Sequence, residues 1–331
     1  MLTKLDYKIL SELDSNARQS YGQIATAVGS SKQVVSNHVQ MLFREGYIQW
    51  FLTAIDFSKV GQIIYKVYLR LMKASEEDEL KIVFFLKAHP LVVWLARAEG
   101  IYDIAFAVSV REVGELNKLL IDLENQFGRH IFERAVNTIL RGEFLNRGYL
   151  TDEKITGMEK KADFQSTQVS SVENLPVYKP DEVDNKILVL LCRNPRESVV
   201  KIAETVPLTA DAICKRIKRI EQTGIIKRYL TVLNHNKLDS LHYKVLIRVS
   251  DFNEETERKF FEFCRVNKNI VFFNKGIGSW EVEIDVEVRT SEEFRRVMRQ
   301  IKQEFAGSIK EYFSLIIYEI LKFEFMTRFT V

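Results

Sequence analysis

One register shift governs almost the whole chain. Displaced by 178 positions, Leu5-Asp6-Tyr7-Lys8-Ile9-Leu10 falls on Val183-Asp184-Asn185-Lys186-Ile187-Leu188. The register runs on without a gap through Leu13/Leu191, Asn16/Asn194, Arg18/Arg196, Ile24/Ile202, Val28/Val206, Gly46/Gly224 and Leu52-Thr53/Leu230-Thr231. Of the 57 positions from 5 to 61, 16 are identical, and the same offset later sets Tyr65-Lys66-Val67 on Tyr243-Lys244-Val245 and Gly100 on Gly278. Chance does not hold one register across more than a hundred residues, so any fold must be a single unit made twice.

Each unit opens with three short helices. In copy one, Leu5, Ile9, Leu10 and Leu13 recur at helical spacing behind a Thr3 cap, and Ile24, Ala25 and Val28 mark a second helix. Gly29 breaks it, and Ser31 caps a third helix with Val34, Val35, Val39 and Leu42 inward. Gly46 stops that helix, and Tyr47–Asp56 alternates as a short hairpin would. Copy two repeats the plan with Pro207 as the break, Thr209 as the cap, Ile213, Ile217 and Ile220 inward, Gly224 as the stop and a wing over Ile225–Asn234. Three helices and a hairpin make a winged helix-turn-helix.

The outward face of the third helix carries the chemistry. Short polar side chains near the start of such a helix reach base edges in the major groove. Copy one offers Ser31, Lys32, Gln33, Ser36, Asn37 and Gln40 there. Copy two offers Thr209, Asp211, Lys215, Arg216, Lys218 and Arg219, followed by Lys227 and Arg228 in the wing. From Leu208 to Tyr229 there are six basic and two acidic residues, against two and one in Ser30–Phe51, so copy two is expected to grip phosphate harder.

The second part of each unit alternates strand and helix. Copy one reads as a strand at Gln62–Lys73, a helix at Glu76–His89, strands at Leu91–Ala98 and Ile101–Val110, a helix at Glu112–Phe127 and a strand at Ile131–Glu143. Copy two gives the same order over Leu241–Ser250, Glu254–Val266, Ile270–Gly276, Ser279–Val288, Ser291–Phe305 and Ile309–Phe323. This βαββαβ order is the ferredoxin-like split fold, so the chain is α+β in class. The expected domains are winged helix-turn-helix units at 1–60 and 180–239, ferredoxin-like ligand-sensing or oligomerisation domains at 61–150 and 240–331, and a linker at 151–179. The helices cover one face of each sheet; the other face and the edges call for a partner.

The opening Leu5-Asp6-x-x-Ile9-Leu10 and Asp184-x-x-Ile187-Leu188, the pair Arg18 and Arg196, and the stretches Gly29–Ile48 and Pro207–Ile226 resemble the Lrp/AsnC, or feast/famine, family of regulators. So do the turns Gly100-Ile101-Tyr102-Asp103 and Gly278-Ser279-Trp280-Glu281. The resemblance covers nearly all of the chain outside the linker. Family members usually carry one unit, which makes this a covalent double version. It implies double-stranded DNA as partner, self-association through the ferredoxin-like domains, and an amino-acid or other small effector near Gly100, Tyr102 and Asp103. The matching positions in copy two are Gly278, Trp280 and Glu281, where glutamate replaces the family's aspartate. Some Lrp-like chains also resemble sirohaem decarboxylases, which keeps an enzyme open beside the two binding readings, a sequence-specific regulator and an architectural DNA binder.

The leading expectation is a regulator without catalytic activity. Cys192, Cys214 and Cys264 are odd in number and form no C-x-x-C pair, which fits a reducing, cytoplasmic setting. No apolar run reaches the roughly 18 residues of a membrane helix, and Asp6 stands where a signal peptide would be apolar. Net charge is +3, so any affinity for DNA must come from how charge is distributed. His38, His89, His130, His235 and His242 are dispersed and suggest no catalytic constellation, and neither metal nor cofactor is expected.

Overall fold

The structure is a computed structural model and describes residues 2–151 and 180–325. Almost all of the expected linker lies outside the described residues. Copy one runs α1 (Lys4–Ser15), α2 (Tyr21–Val28), α3 (Lys32–Arg44), β1 (Ile48–Ile55), β2 (Ile63–Leu71), α4 (Glu76–Ala88), β3 (Val92–Glu99), β4 (Ile104–Val110), α5 (Val113–Phe127) and β5 (Ile131–Phe144). Copy two runs α6 (Glu182–Arg193), α7 (Val199–Thr205), α8 (Ala210–Gln222), β6 (Ile226–Leu233), β7 (Leu241–Val249), α9 (Glu254–Val266), β8 (Ile270–Ile277), β9 (Val282–Val288), α10 (Ser291–Glu304) and β10 (Ile309–Phe323). Every one of these starts 178 residues after its twin.

Local chemistry sets the helix ends. Thr3 and Asp6 form a capping box at α1, and Asp181 and Asp184 repeat it at α6. Ser31 and Thr209 cap α3 and α8 by accepting from the backbone N–H three residues on. Gly29, Gly46 and Gly224 take the left-handed backbone that ends a helix, with φ near +70°. Val35, Val39 and Leu42 are buried as the spacing predicts, whereas Val34 faces solvent.

The expected wing hairpins do not close within either copy. Each copy contributes one strand, and β1 pairs antiparallel with β6. Leu52 lies opposite Leu230, its own repeat partner, so a pseudo-two-fold axis passes between them. Reciprocal bonds mark the same symmetry: Thr53 Oγ1 donates to Leu191 O and Thr231 Oγ1 to Leu13 O. The two helix-turn-helix units are thus fused into one body.

The sheet domains satisfy each other in the same way. Each has the ferredoxin-like order, β3-β4-β2-β5 and β8-β9-β7-β10, and the two join edge to edge through β5 with β8 and β10 with β3. The result is a closed eight-stranded barrel, which leaves no free edge. Helices α4 and α5 cover copy one outside the barrel around Val67, Phe106 and Val108, and α9 and α10 cover copy two around Phe260, Phe273 and Ile284. The sheet faces that would seek a partner now enclose an interior.

Candidate functional site

The recognition helices present much of the predicted face. Ser31, Lys32, Gln33, Asn37 and Gln40 are exposed and Ser36 is half-buried, with Gln33 Nε2 donating to Asn37 Oδ1 at 3.0 Å. In copy two, Thr209, Asp211, Lys215, Lys218 and Arg219 are exposed and Arg216 is half-buried. Part of the basic excess there is met by the protein's own acids. Lys215 pairs with Asp211 at 2.9 Å, and Arg216 and Arg219 reach the buried Asp184 at 2.8 and 2.7 Å.

Two of the predicted contacts are corrected outright. Arg228 is only 7% exposed and donates to Phe144 O, Asp14 O and Asn146, so it is a structural brace that DNA cannot reach. Lys227 pairs with buried Asp56 at 3.3 Å and is itself mostly covered. His38 sits where copy two has Arg216, and its Nδ1 lies 2.6 Å from Asp6 Oδ1. Each recognition helix is therefore tied to the first helix of its unit through a buried aspartate.

The predicted effector turns are closed seams. Gly100 and Gly278 have φ of +144° and +149°. A Cβ on Gly100 would meet Ser314 O at 3.0 Å, and one on Gly278 would meet Val136 O at 2.5 Å. These glycines let the twin's strand pass. Tyr102 and Trp280 are buried against Tyr68, Asp103 accepts from Leu71 N at 2.6 Å, and Glu281 accepts from Val249 N at 2.7 Å. Asn137 of β5 then clamps the second turn, donating to Trp280 O and accepting from Ser279 N. Little is left there to hold a ligand.

A cavity of about 110 Å³ lies instead within the barrel, a place that sequence reading missed. Its walls are apolar and aromatic, among them Phe57, Trp94, Phe144, Phe272 and Phe325. Its polar end is furnished mainly by copy two, with Lys66 and Arg147 from copy one. On β9, Glu283, Asp285 and Glu287 point inward, where β4 has Ala105, Ala107 and Ser109. His242 and His235 replace Ile64 and Phe57, and Arg147 replaces Phe325. The small residues of β4 make room and the acids of β9 furnish it.

Buried charges in the interior are matched. Lys66 contacts Glu283, Lys244 reaches Glu283 at 2.9 Å and also contacts Asp285, and Tyr68 donates to Glu283 Oε2. Burial pushes the Lys66 ammonium down to about 8. Burial acts on Lys244 too, but Asp285 and Glu283 hold it above its ordinary value. Burial likewise pushes His235 down to about 4, leaving it a neutral imidazole.

The five histidines were expected to be dispersed; the barrel brings two of them together. The rings of His235 and His242 are 4.9 Å apart, and Glu287 Oε1 lies 3.4 Å from His235 Nε2. Glu287 also leads out of the cavity. Arg147 donates to its Oε2 and Oε1 at 2.8 and 3.0 Å, and to Asp14 Oδ1 on α1 at 2.6 Å. A continuous chain of ion pairs thus joins the cavity to the first DNA-binding unit.

Comparison with known proteins follows this division. Residues 2–49 match a winged helix-turn-helix DNA-binding family, and residues 181–221 match the AsnC-type helix-turn-helix domain. The HTH-type transcriptional regulator Ptr1 of Methanocaldococcus jannaschii is 30% identical over 122 residues, spanning 37% of this chain and 81% of Ptr1. The chain belongs to the Lrp/AsnC family of transcriptional regulators. A further relative, the glutamate uptake regulatory protein of Zymomonas mobilis, is 24% identical over 126 residues, 38% of this chain and 77% of that protein. Such relatives match little more than a third of this doubled Lrp/AsnC chain. Among solved structures, the siroheme decarboxylase NirDL covers 99% of the chain and 95% of its own length, with a TM-score of 0.60 and 14% identity. That likeness is one of fold. NirDL has also been crystallised with an iron-uroporphyrin III analogue.

Proposed function

We propose that the chain is a sequence-specific DNA-binding regulator that reads an asymmetric site, with a small effector held in the barrel cavity. The carrying observation is the fusion of two unlike recognition helices across the β1–β6 pair. Copy one exposes neutral hydrogen-bonding side chains suited to base edges, and copy two exposes Lys215 and Lys218 beside Asp211. A homodimer presents two identical helices to a palindrome; this pseudo-dimer presents two different ones.

The effector reading moves from the glycine turns to the cavity. At 110 Å³ it is somewhat smaller than the roughly 150 Å³ cavity that takes up a benzene, which suits a small effector of a few heavy atoms. A ligand that touches Glu287 competes with Arg147, and Arg147 in turn holds Asp14 on α1. Binding would then be felt at the DNA-binding unit.

Self-association belongs to the outer face of copy one. Leu80, Phe84 and Ile121 are exposed there, Phe84 by 75%, where copy two has Arg258, Glu262 and Arg299. Helix α4 begins with Glu76, Glu77, Asp78 and Glu79 and ends with Lys87. Two copies packed antiparallel on this helix set acids against lysine at both ends, so the patch fits a second copy of itself.

Binding-site selection with the intact chain, followed by footprinting at defined salt, tests the main reading. The expected result is one preferred, non-palindromic sequence bound far more tightly than random DNA. Equal affinity for all sequences would make the protein an architectural binder instead.

A further inference from the structure

The polar end of the cavity contains an arrangement that neither DNA binding nor effector size explains. His242 is 5% exposed, and among the described residues neither of its ring nitrogens has a hydrogen-bond partner. Asp285 Oδ2 lies 3.2 Å from its Nε2, a contact that helps hold the Asp285 carboxyl below its ordinary value, whereas Nδ1 has no such neighbour among the described residues. A buried imidazole left in this state carries a desolvation cost that a bound group would relieve.

His235 shows what kind of group that is. Ser240 Oγ donates to the carbonyl of His235 at 3.4 Å, so its lone pair faces His235 Nδ1 at 3.1 Å. With Ser240 Oγ accepting from Nδ1–H, Nε2 carries no proton and is free to ligate. That bare nitrogen looks at Glu287 Oε1 across 3.4 Å. In that tautomer the imidazole nitrogen and the carboxylate oxygen both present lone pairs to the space between them, as two ligands of one cation do.

The spacing fits a metal ion. Donor atoms of His235, His242 and Glu287 all lie within 4.8 Å of one another. Two ligands at about 2.0–2.1 Å from a tetrahedral centre are roughly 3.3 Å apart, close to the His235–Glu287 separation. Two imidazoles and a carboxylate suit a borderline ion such as zinc or iron(II), while calcium and magnesium want oxygen alone. Tyr149 holds the far oxygen of Glu287 at 2.5 Å and Arg147 bridges both oxygens, at 2.8 Å to Oε2 and 3.0 Å to Oε1, as outer partners that orient a ligating carboxylate do. Nearby fixed charges balance, Lys66, Lys244 and Arg147 against Glu283, Asp285 and Glu287, so no cationic surplus closes the site.

We propose that His235, His242 and Glu287 form a binding site for one divalent transition-metal ion at the polar end of the barrel cavity. Three protein ligands leave a coordination position open toward the apolar walls, where a small ligand donor completes the shell. Copy one has Phe57, Ile64 and Ser109 at the matching positions, so the doubled chain carries one such site and not two.

This deepens the cavity reading above, but its test reads the metal and not DNA. Full-length protein stripped with EDTA is titrated with Co²⁺ alone. The expected result is one Co²⁺ per chain with the visible absorption of a low-coordinate site. His242→Ala and His235→Ala each weaken binding at least tenfold and remove the band, whereas His89→Gln, outside the cluster, leaves it intact. Should either alanine variant unfold, His242→Gln retains volume and serves in its place. Added Zn²⁺ raises the Tm of the parent chain and not of the His242 variant. An absent band, or one that survives loss of His242, overturns the proposal while leaving DNA recognition untouched.

Discussion

Arg18 and Arg196 occupy the same place in the two copies, and each donates to the backbone of the other's loop. Arg18 Nη1 contacts Pro195 O and Glu197 O, while Arg196 Nη1 contacts Ala17 O and Gln19 O. Arg196 also lies over the rings of Tyr21 and Phe51. The exchange locks the fused DNA-binding body across its pseudo-dyad. Hydrogen bonds from charged donors contribute about 1.5–3 kcal/mol, so Arg18→Ala and Arg196→Ala should each lower stability by that much in urea unfolding. An unchanged midpoint in both variants would contradict the brace.

Specificity and affinity should separate between the copies. Asn37→Ala removes a potential bidentate contact to a base and should cost about 1–3 kcal/mol in discrimination, read by binding-site selection. Replacing exposed Lys215 and Lys218 by alanine should leave the preferred sequence intact and lower the salt slope by nearly 2, at about 0.9 per phosphate contact. Arg228→Met should do neither; it should weaken folding, because it empties a buried brace.

Acid should loosen the grip on the first recognition helix. Burial works to raise the Asp6 carboxyl, but bonds from His38 and Thr3 hold it below its ordinary 3.8. The unfolded chain therefore takes up this proton first as the pH falls. Stability from the contact is complete well above pH 3.8 and drains away below it. Asp6→Asn should cost about 1–3 kcal/mol at neutral pH and flatten acid unfolding in that window, followed by circular dichroism.

Self-association should depend on copy one alone. Phe84→Glu is expected to convert a dimer of chains to a monomer in light scattering at micromolar concentration. The matching change in copy two, Glu262→Ala, should leave the mass unaltered. A monomeric parent chain would remove the need for the α4 interface.

Much of this protein was legible as sequence because it rests on local chemistry repeated at one offset. Thr3, Ser31 and Thr209 are caps wherever they precede such helices, and Gly46 and Gly224 end helices because they accept positive φ at no steric cost. The βαββαβ order follows from periodicity. What the sequence leaves open is which strand a strand will choose. Tyr47–Asp56 reads equally well as a whole short hairpin or as one strand of a pair with Ile226–Leu233, because its alternation is satisfied in either case.

The cavity is the sharper example. Glu283, Asp285 and Glu287 alternate with Ile284 and Val286, the pattern of a strand with one apolar face on helices and one polar face in water. In the folded chain that polar face is the inside of a barrel, closed by a second sheet. Closure turns three ordinary surface acids into buried ones and obliges Lys66, Lys244 and Arg147 to meet them. It also brings His235 and His242 to a carboxylate more than forty residues away. Local sequence determines the faces of each element; only the pairing of the two sheets decides which of those faces water can reach.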